Sequence, residues 1–109
     1  CKPTEAEMIK YITNVHLAVK VALANELSQI CNKLSVPYDR VIKLATKDTR
    51  LGETHWEVPG PDGKSGFGGT CFPKDINALM CVARDLMVDP TIMKAAWEKN
   101  LEVRSETIR

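Results

Sequence analysis

No charge of either sign prevails in this chain: 15 Lys and Arg stand against 14 Asp and Glu, for a formal net charge of +1 and a pI near 7.8. Sequence-independent phosphate binding needs a clustered basic face, so nucleic acid is excluded as a partner. Nor does any run approach the roughly 20 apolar residues of a membrane span, and the opening CKPTEAEMIK has no signal-peptide core. A membrane partner is excluded and a cytoplasmic setting is expected. The cysteines Cys1, Cys31, Cys71 and Cys81 form no CxxC pair, which leaves no zinc or thioredoxin-like spacing and no expected metal. A disulfide framework is not called for in a reducing compartment. Repeats, low-complexity tracts and the alternating pattern of strands are absent too. Glycine is missing from both ends, since all six glycines fall between Gly52 and Gly69.

What is present fits one domain. A chain of 109 residues with 44% hydrophobic and 27% charged residues buries about two-thirds of its unfolded surface around an ordinary core. It opens on Cys1 rather than Met, which points to a piece of something longer. Thr4-Glu5-Ala6-Glu7 reads as a capping box, starting a helix at Glu5. Met8, Ile12, Val15, Val19, Leu23, Leu27, Ile30 and Leu34 recur at three- and four-residue steps, predicting that it runs to about Lys33, roughly 40 Å. Such a rod is longer than a lone small domain needs. Ser35 and Pro37 punctuate a turn into a second helix over about 38–47. A third follows Pro73 to about Met87 through Ile76, Leu79, Met80, Ala83 and Leu86. In Asp89-Pro90 we read a cap and a first-turn proline for a fourth helix carrying Ile92, Met93, Ala96, Trp97, Leu101 and Arg104. The predicted class is all-α, with a long N-terminal helix and about three more, and Met80, Met93 and Trp97 in the core.

Between the second and third helices, 48–70 form a loop beyond the usual limit of about 12–15 residues, and loops that long tend to be functional or disordered. Gly63-Lys64-Ser65 imitates the end of a P-loop, but Val58 stands where its first glycine belongs. Gly66-Phe67-Gly68 imitates a dinucleotide fingerprint, but Cys71 replaces the third glycine and no strand precedes it. With no βαβ unit, the chain is not expected to bind a dinucleotide in that way. What remains is GFGGTCFPKD, 66–75, a glycine run delivering Cys71 to the N-terminal edge of a helix. The helix end favours an anion by about 0.3–1 kcal/mol, too little alone to make a reactive thiolate, so a cation is required nearby. The plainer reading makes Cys71 a small buried apolar residue in a tight turn, as it does for Cys31 and Cys81 in their helices and for Cys1 at the terminus. Lys10 and Asn14, one turn apart, share a helix face; a solvated Lys beside an Asn accounts for them equally. Asp75 in a first turn is explained by the dipole alone. His16 and His55 read as a helix residue and a loop residue.

GFGGTCFPKD, together with Glu7-Met8-Ile9-Lys10-Tyr11-Ile12-Thr13-Asn14 and Asn25-Glu26, resembles the central domain of the UDP-glucose/GDP-mannose dehydrogenase family over nearly the whole chain. The spacing of Asn100 to Arg104 also looks like the family's exit towards its third domain. The resemblance implies a fold like the C-terminal domain of 6-phosphogluconate dehydrogenase, with 1–109 as a single central, dimerising domain and the NAD-binding and C-terminal domains absent. It implies an enzyme that oxidises the C6 alcohol of a nucleotide sugar to a uronic acid in two NAD-dependent steps, through a cysteine thiohemiacetal and thioester. A thiolate adds readily to an aldehyde, and the adduct still carries a hydride to donate. Cys71 matches the covalent cysteine, Lys10 the lysine that stabilises the oxyanion, Asn14 the asparagine that orients oxygen or water, and Asp75 the aspartate of thioester hydrolysis. Phe67 and Gly68 match the substrate side, where Gly68 would let the backbone approach the sugar. Arg50 matches an arginine reaching substrate from a neighbouring subunit, which would make the long helix a homodimer rod. GETHWEVPGPDGKSG, 52–66, departs from the commoner UDP-glucose pattern; UDP-glucose is the leading substrate, GDP-mannose and UDP-N-acetylmannosamine the alternatives. Alone, the domain is expected to be inactive. The rival reading is a non-catalytic all-α dimerisation scaffold.

Overall fold

The computed structural model describes residues 3–69 and 71–108, with side chains as far as Arg104; Cys1 lies outside them. Among these residues four helices follow one another: α1 (Glu5–Lys33), α2 (Tyr38–Ala45), α3 (Cys71–Asp85) and α4 (Thr91–Ile108). Among the described residues there is no strand, and the class is all-α as expected. α1 starts at its capping box: Thr4 Oγ1 accepts from the Glu7 amide at 3.2 Å, and Glu7 Oε1 accepts from the Thr4 amide at 3.0 Å. The Thr4 amide first, and then the Thr4 hydroxyl, which donates to the same oxygen at 2.9 Å, hold the Glu7 carboxyl below its ordinary range. With 29 residues, α1 is about 43 Å long and nearly matches the 47 Å long axis of the molecule.

Its buried face is not the stripe of large aliphatics. Of that stripe Val15 alone is buried, while Ile12, Leu23, Ile30 and Leu34 are exposed, as is Ile9. The face turned inward carries Ala18, Ala22, Ala24 and Ser28 beside Val15, Val21 and Asn25. Periodicity finds faces but does not say which one a neighbour covers; small side chains let α3 and α4 approach the rod closely. The main cluster joins Val15, Ala18, Val21 and Ala22 of α1 to Phe67, Ile76, Met80 and Ala96, with Met93 and Trp97 packed against it. Met80, Met93 and Trp97 are thus in or against the core as expected. Cys81 is exposed, against its reading as an apolar helix residue, and Cys31 is half-buried against the second cluster.

Helix ends differ from the expectation by a few residues. α2 stops at Ala45, two short of Lys47. α3 begins at Cys71 itself and stops at Asp85. At α4 the Pro90 carbonyl accepts from the Lys94 amide at 2.8 Å, so Pro90 takes the cap place assigned to Asp89. Since glycine is confined to the loop, α1 and α3 turn out through Ser35 and Met87, whose φ values of 59° and 65° are left-handed.

The segment 46–69 is irregular yet tied down. Trp56 belongs to the second cluster with Ala24 and Tyr38. Tyr38 Oη donates to the Trp56 carbonyl at 2.6 Å, and Trp56 Nε1 donates to the Gly52 carbonyl at 2.9 Å. Lys20 Nζ lies 4.9 Å from the Trp56 ring centroid and donates to the Leu51 carbonyl at 2.9 Å, a cation over an aromatic face. Burial pushes the Tyr38 phenol up to about 12, keeping it a donor.

Candidate active site

α1 and α3 meet at a polar pair. Asn14 Nδ2 donates to Asp75 Oδ2 at 2.6 Å, and Asp75 is only 1% exposed. A carboxylate taken so far from water requires such a donor, and the helix packing supplies it from a residue 61 positions away. Lys10 sits one turn before Asn14 and Cys71 one turn before Asp75, so each lies on the turn adjoining the joined pair. Cys71 and Lys10 are both exposed, which removes the reading of Cys71 as a buried apolar residue. Glu7, one turn before Lys10, feels the lysine's charge.

The approach to Cys71 is built from the far side by α4. Phe67 is buried, its ring 6.3 Å from Phe72 and 6.0 Å from Trp97 between centroids. Its backbone is held by Asn100, whose Oδ1 accepts from the Phe67 amide at 2.6 Å and whose Nδ2 donates to the Phe67 carbonyl at 2.9 Å. Arg104 Nε donates to the same carbonyl at 3.0 Å, and its Nη2 reaches Asp62 Oδ2 at 2.9 Å. The Lys64 amide and Arg104 together hold the Asp62 carboxyl below the usual range. Gly68 has a feature besides the one expected: a Cβ there would strike the Arg104 guanidinium, which would have to leave its place against the Phe67 carbonyl.

Beside this loop opens a cavity of about 490 Å³, bordered by Phe67, Gly68, Gly69, Phe72, His55 and Arg104 among others. That volume suits a small ligand. None of Lys10, Asn14, Cys71 and Asp75 lines it; it lies against the residues flanking the cysteine. His55, read from sequence as a plain loop residue, is half-buried with its ring 5.9 Å from Phe72. Arg50 stands apart, 86% exposed and clamped by Nε and Nη2 to Asp48. Sequence reading passed over the role of Asn100. The available signal was a polar residue on the α4 face that carries Ala96, Trp97 and Val103, one turn before Arg104.

Residues for a metal or dinucleotide are another matter. Among the described residues no group of three or more His, Cys, Asp or Glu could hold a metal ion. With no strand among them, and polar loop before Gly66, they form no strand-to-helix glycine turn of the kind that cradles a pyrophosphate, so NAD does not fit here by that mode. No described helix is long and apolar enough to cross a membrane.

The helical rod, the glycine loop and the helix headed by Cys71 all lie within a stretch that matches known dehydrogenases. A model of the UDP-glucose/GDP-mannose dehydrogenase family, central domain, matches residues 4–102, and the chain belongs to that family. It is 38% identical over 97 residues to UDP-glucose 6-dehydrogenase AglM of Haloferax volcanii, covering 89% of this chain and 21% of that protein. To UDP-glucose 6-dehydrogenase YwqF of Bacillus subtilis it is 37% identical over 95 residues, 87% of this chain and 20% of the relative. The structure of a UDP-glucose dehydrogenase from the archaeon Pyrobaculum islandicum superposes with a TM-score of 0.81 at 37% identity, over 93% of this chain and 22% of that one. The chain spans about a fifth of the length of these relatives.

Proposed function

We propose that this domain supplies the covalent centre of a nucleotide-sugar 6-dehydrogenase, with UDP-glucose as the substrate. The observation that carries this reading is the 2.6 Å bond from Asn14 to Asp75, which ties the helix bearing Lys10 to the helix headed by Cys71. At the aldehyde stage the Cys71 thiolate adds to C6, a C–S bond forms, and the carbonyl π electrons move to oxygen. The Lys10 ammonium stabilises that oxyanion, and the Asn14 amide orients it. Once the adduct is at the thioester level, water adds to the carbonyl carbon with its proton passing to the Asp75 carboxylate. The C–S bond then breaks, releasing the uronate and restoring the thiolate. NAD, the acceptor that the resemblance implies, would be held outside this chain, and the domain alone is inactive. Phe67 and Gly68 border the sugar, and Arg50, exposed and away from the pair, serves a neighbouring subunit's site.

A homodimer accompanies this reading, because Ile9, Ile12, Leu23, Ile30 and Leu34 leave an apolar face of α1 exposed, and a second copy would cover it. Light scattering should give about twice 12.1 kDa; a monomer at high concentration contradicts it. Alkylation with iodoacetamide, resolved by peptide mass mapping, tests the chemistry. Cys71 should react faster than the exposed Cys81 and lose that advantage in Lys10→Ala, whereas in a non-catalytic scaffold the two thiols react alike. Turnover of the enzyme containing this domain with UDP-glucose, GDP-mannose and UDP-N-acetylmannosamine then identifies the sugar.

A further inference from the structure

The Cys71 loop takes its shape from α4 rather than from the helix that Cys71 begins. Asn100 is 3% exposed and uses both ends of its amide on one backbone residue, Phe67, accepting from its N–H and donating to its C=O. This is the pairing that a neighbouring strand would provide, supplied by a side chain to a loop that has none. Arg104, one turn on, gives the same carbonyl a second donor and reaches the Gly66 carbonyl at 3.4 Å. The two side chains also lie against two glycines, of which Gly66 in addition has a left-handed φ of 77°. A Cβ on Gly66 would strike the Asn100 side-chain oxygen and lie 2.9 Å from Val103 Cγ2, and one on Gly68 would strike the Arg104 guanidinium. Phe67 is therefore held by two α4 side chains, and its ring meets Phe72. Cys71 lies between these two anchored aromatics.

We infer that Asn100 and Arg104 are positioning residues for the Cys71 thiol, acting through the Phe67 peptide, and that Gly68 is glycine to admit the Arg104 guanidinium. The inference rests on the assignment of Cys71 as the reacting thiol, yet its test reads the loop rather than turnover.

The measurement is the ratio of Cys71 to Cys81 alkylation rates in the whole chain, with Cys81, a few turns along the same helix, as internal reference. Asn100→Ala and Arg104→Ala should each lower the ratio by about threefold or more, a coupling expected of groups in one network, while the Cys81 rate stays as it was. Loss of overall stability alone would move both thiols together. Gly68→Ala should lower the ratio as Arg104→Ala does, and adding it to Arg104→Ala should do little more, because the obstructing guanidinium is gone. Arg104→Ala keeps a good helix former and remains informative should Asn100→Ala not fold. A ratio unchanged in Arg104→Ala overturns the positioning role. Equal effects of Gly68→Ala with and without Arg104 overturn the glycine's assignment. A wild-type ratio of one that still responds to these variants sinks the catalytic reading of Cys71 and leaves the positioning intact.

Discussion

Replacing Asn14 by Ala removes the amide that reaches a carboxylate with only 1% of its residue surface exposed. Hydrogen bonds to charged groups are worth about 1.5–3 kcal/mol, and a buried partner left behind bears its full desolvation cost. We expect Asn14→Ala to lose about 2 kcal/mol. With a urea m-value of about 2 kcal/mol/M this moves the unfolding midpoint down by about 1 M at unchanged m; in a thermal scan it is about 8–16 °C at roughly 4–8 °C per kcal/mol. A cycle with Asp75→Ala should show coupling of about 1 kcal/mol or more. In the exchange N14D/D75N, donor and acceptor trade places and much of the loss should return. Single and double variants that add to within about 0.5 kcal/mol would refute the account of two helices joined by this pair, and with it the observation on which the proposed chemistry stands.

Tyr38→Phe should cost about 1–3 kcal/mol, since the Trp56 carbonyl loses its donor, and should also remove an alkaline transition. The phenol is raised from 10 to about 12, so its contribution is complete below pH 10 and fades as pH climbs towards 12; melting scans across that window check both points. On the acid side the signs reverse. Glu7 and Asp62 are held low by the Thr4 and Lys64 amides first, so their contributions exist above the ordinary carboxylate range and vanish as pH falls through the lowered values. Asp62→Asn should flatten part of that acid loss in a series of melts between pH 7 and 3. Thr4→Ala should cost about 0.5–2 kcal/mol through the lost cap, by urea unfolding. Arg50→Ala should leave the urea unfolding midpoint where it was, because its bond to Asp48 lies at the surface.

Much of the architecture was legible because its physics is local. A capping box acts within four residues, and it placed the start of α1 at Glu5. Helical spacing acts within two turns, and together with prolines at or before first turns it located the four described helices. GFGGTCFPKD identified the family because a glycine run before a cysteine at a helix start is a local device.

Other properties depend on which neighbour arrives, and spacing carries no record of that. The aliphatic stripe of α1 and its alanine face are both periodic, yet the alanine face is covered because α3 and α4 fit closely against small side chains. Asn14 and Asp75 were each ordinary in isolation; packing of α1 on α3 joined the half-buried amide to a buried carboxylate. That Gly68 also lies against the Arg104 guanidinium became visible only once α4 was in place. The hold of Asn100 on the loop left no mark in its spacing to Arg104, because its partner is a peptide 33 positions away. The chain alone thus set where helices begin and which residues carry reactive groups, since those follow from contacts within a few residues. Burial and pairing were decided by tertiary packing, because desolvation and hydrogen-bond geometry exist only once distant segments meet.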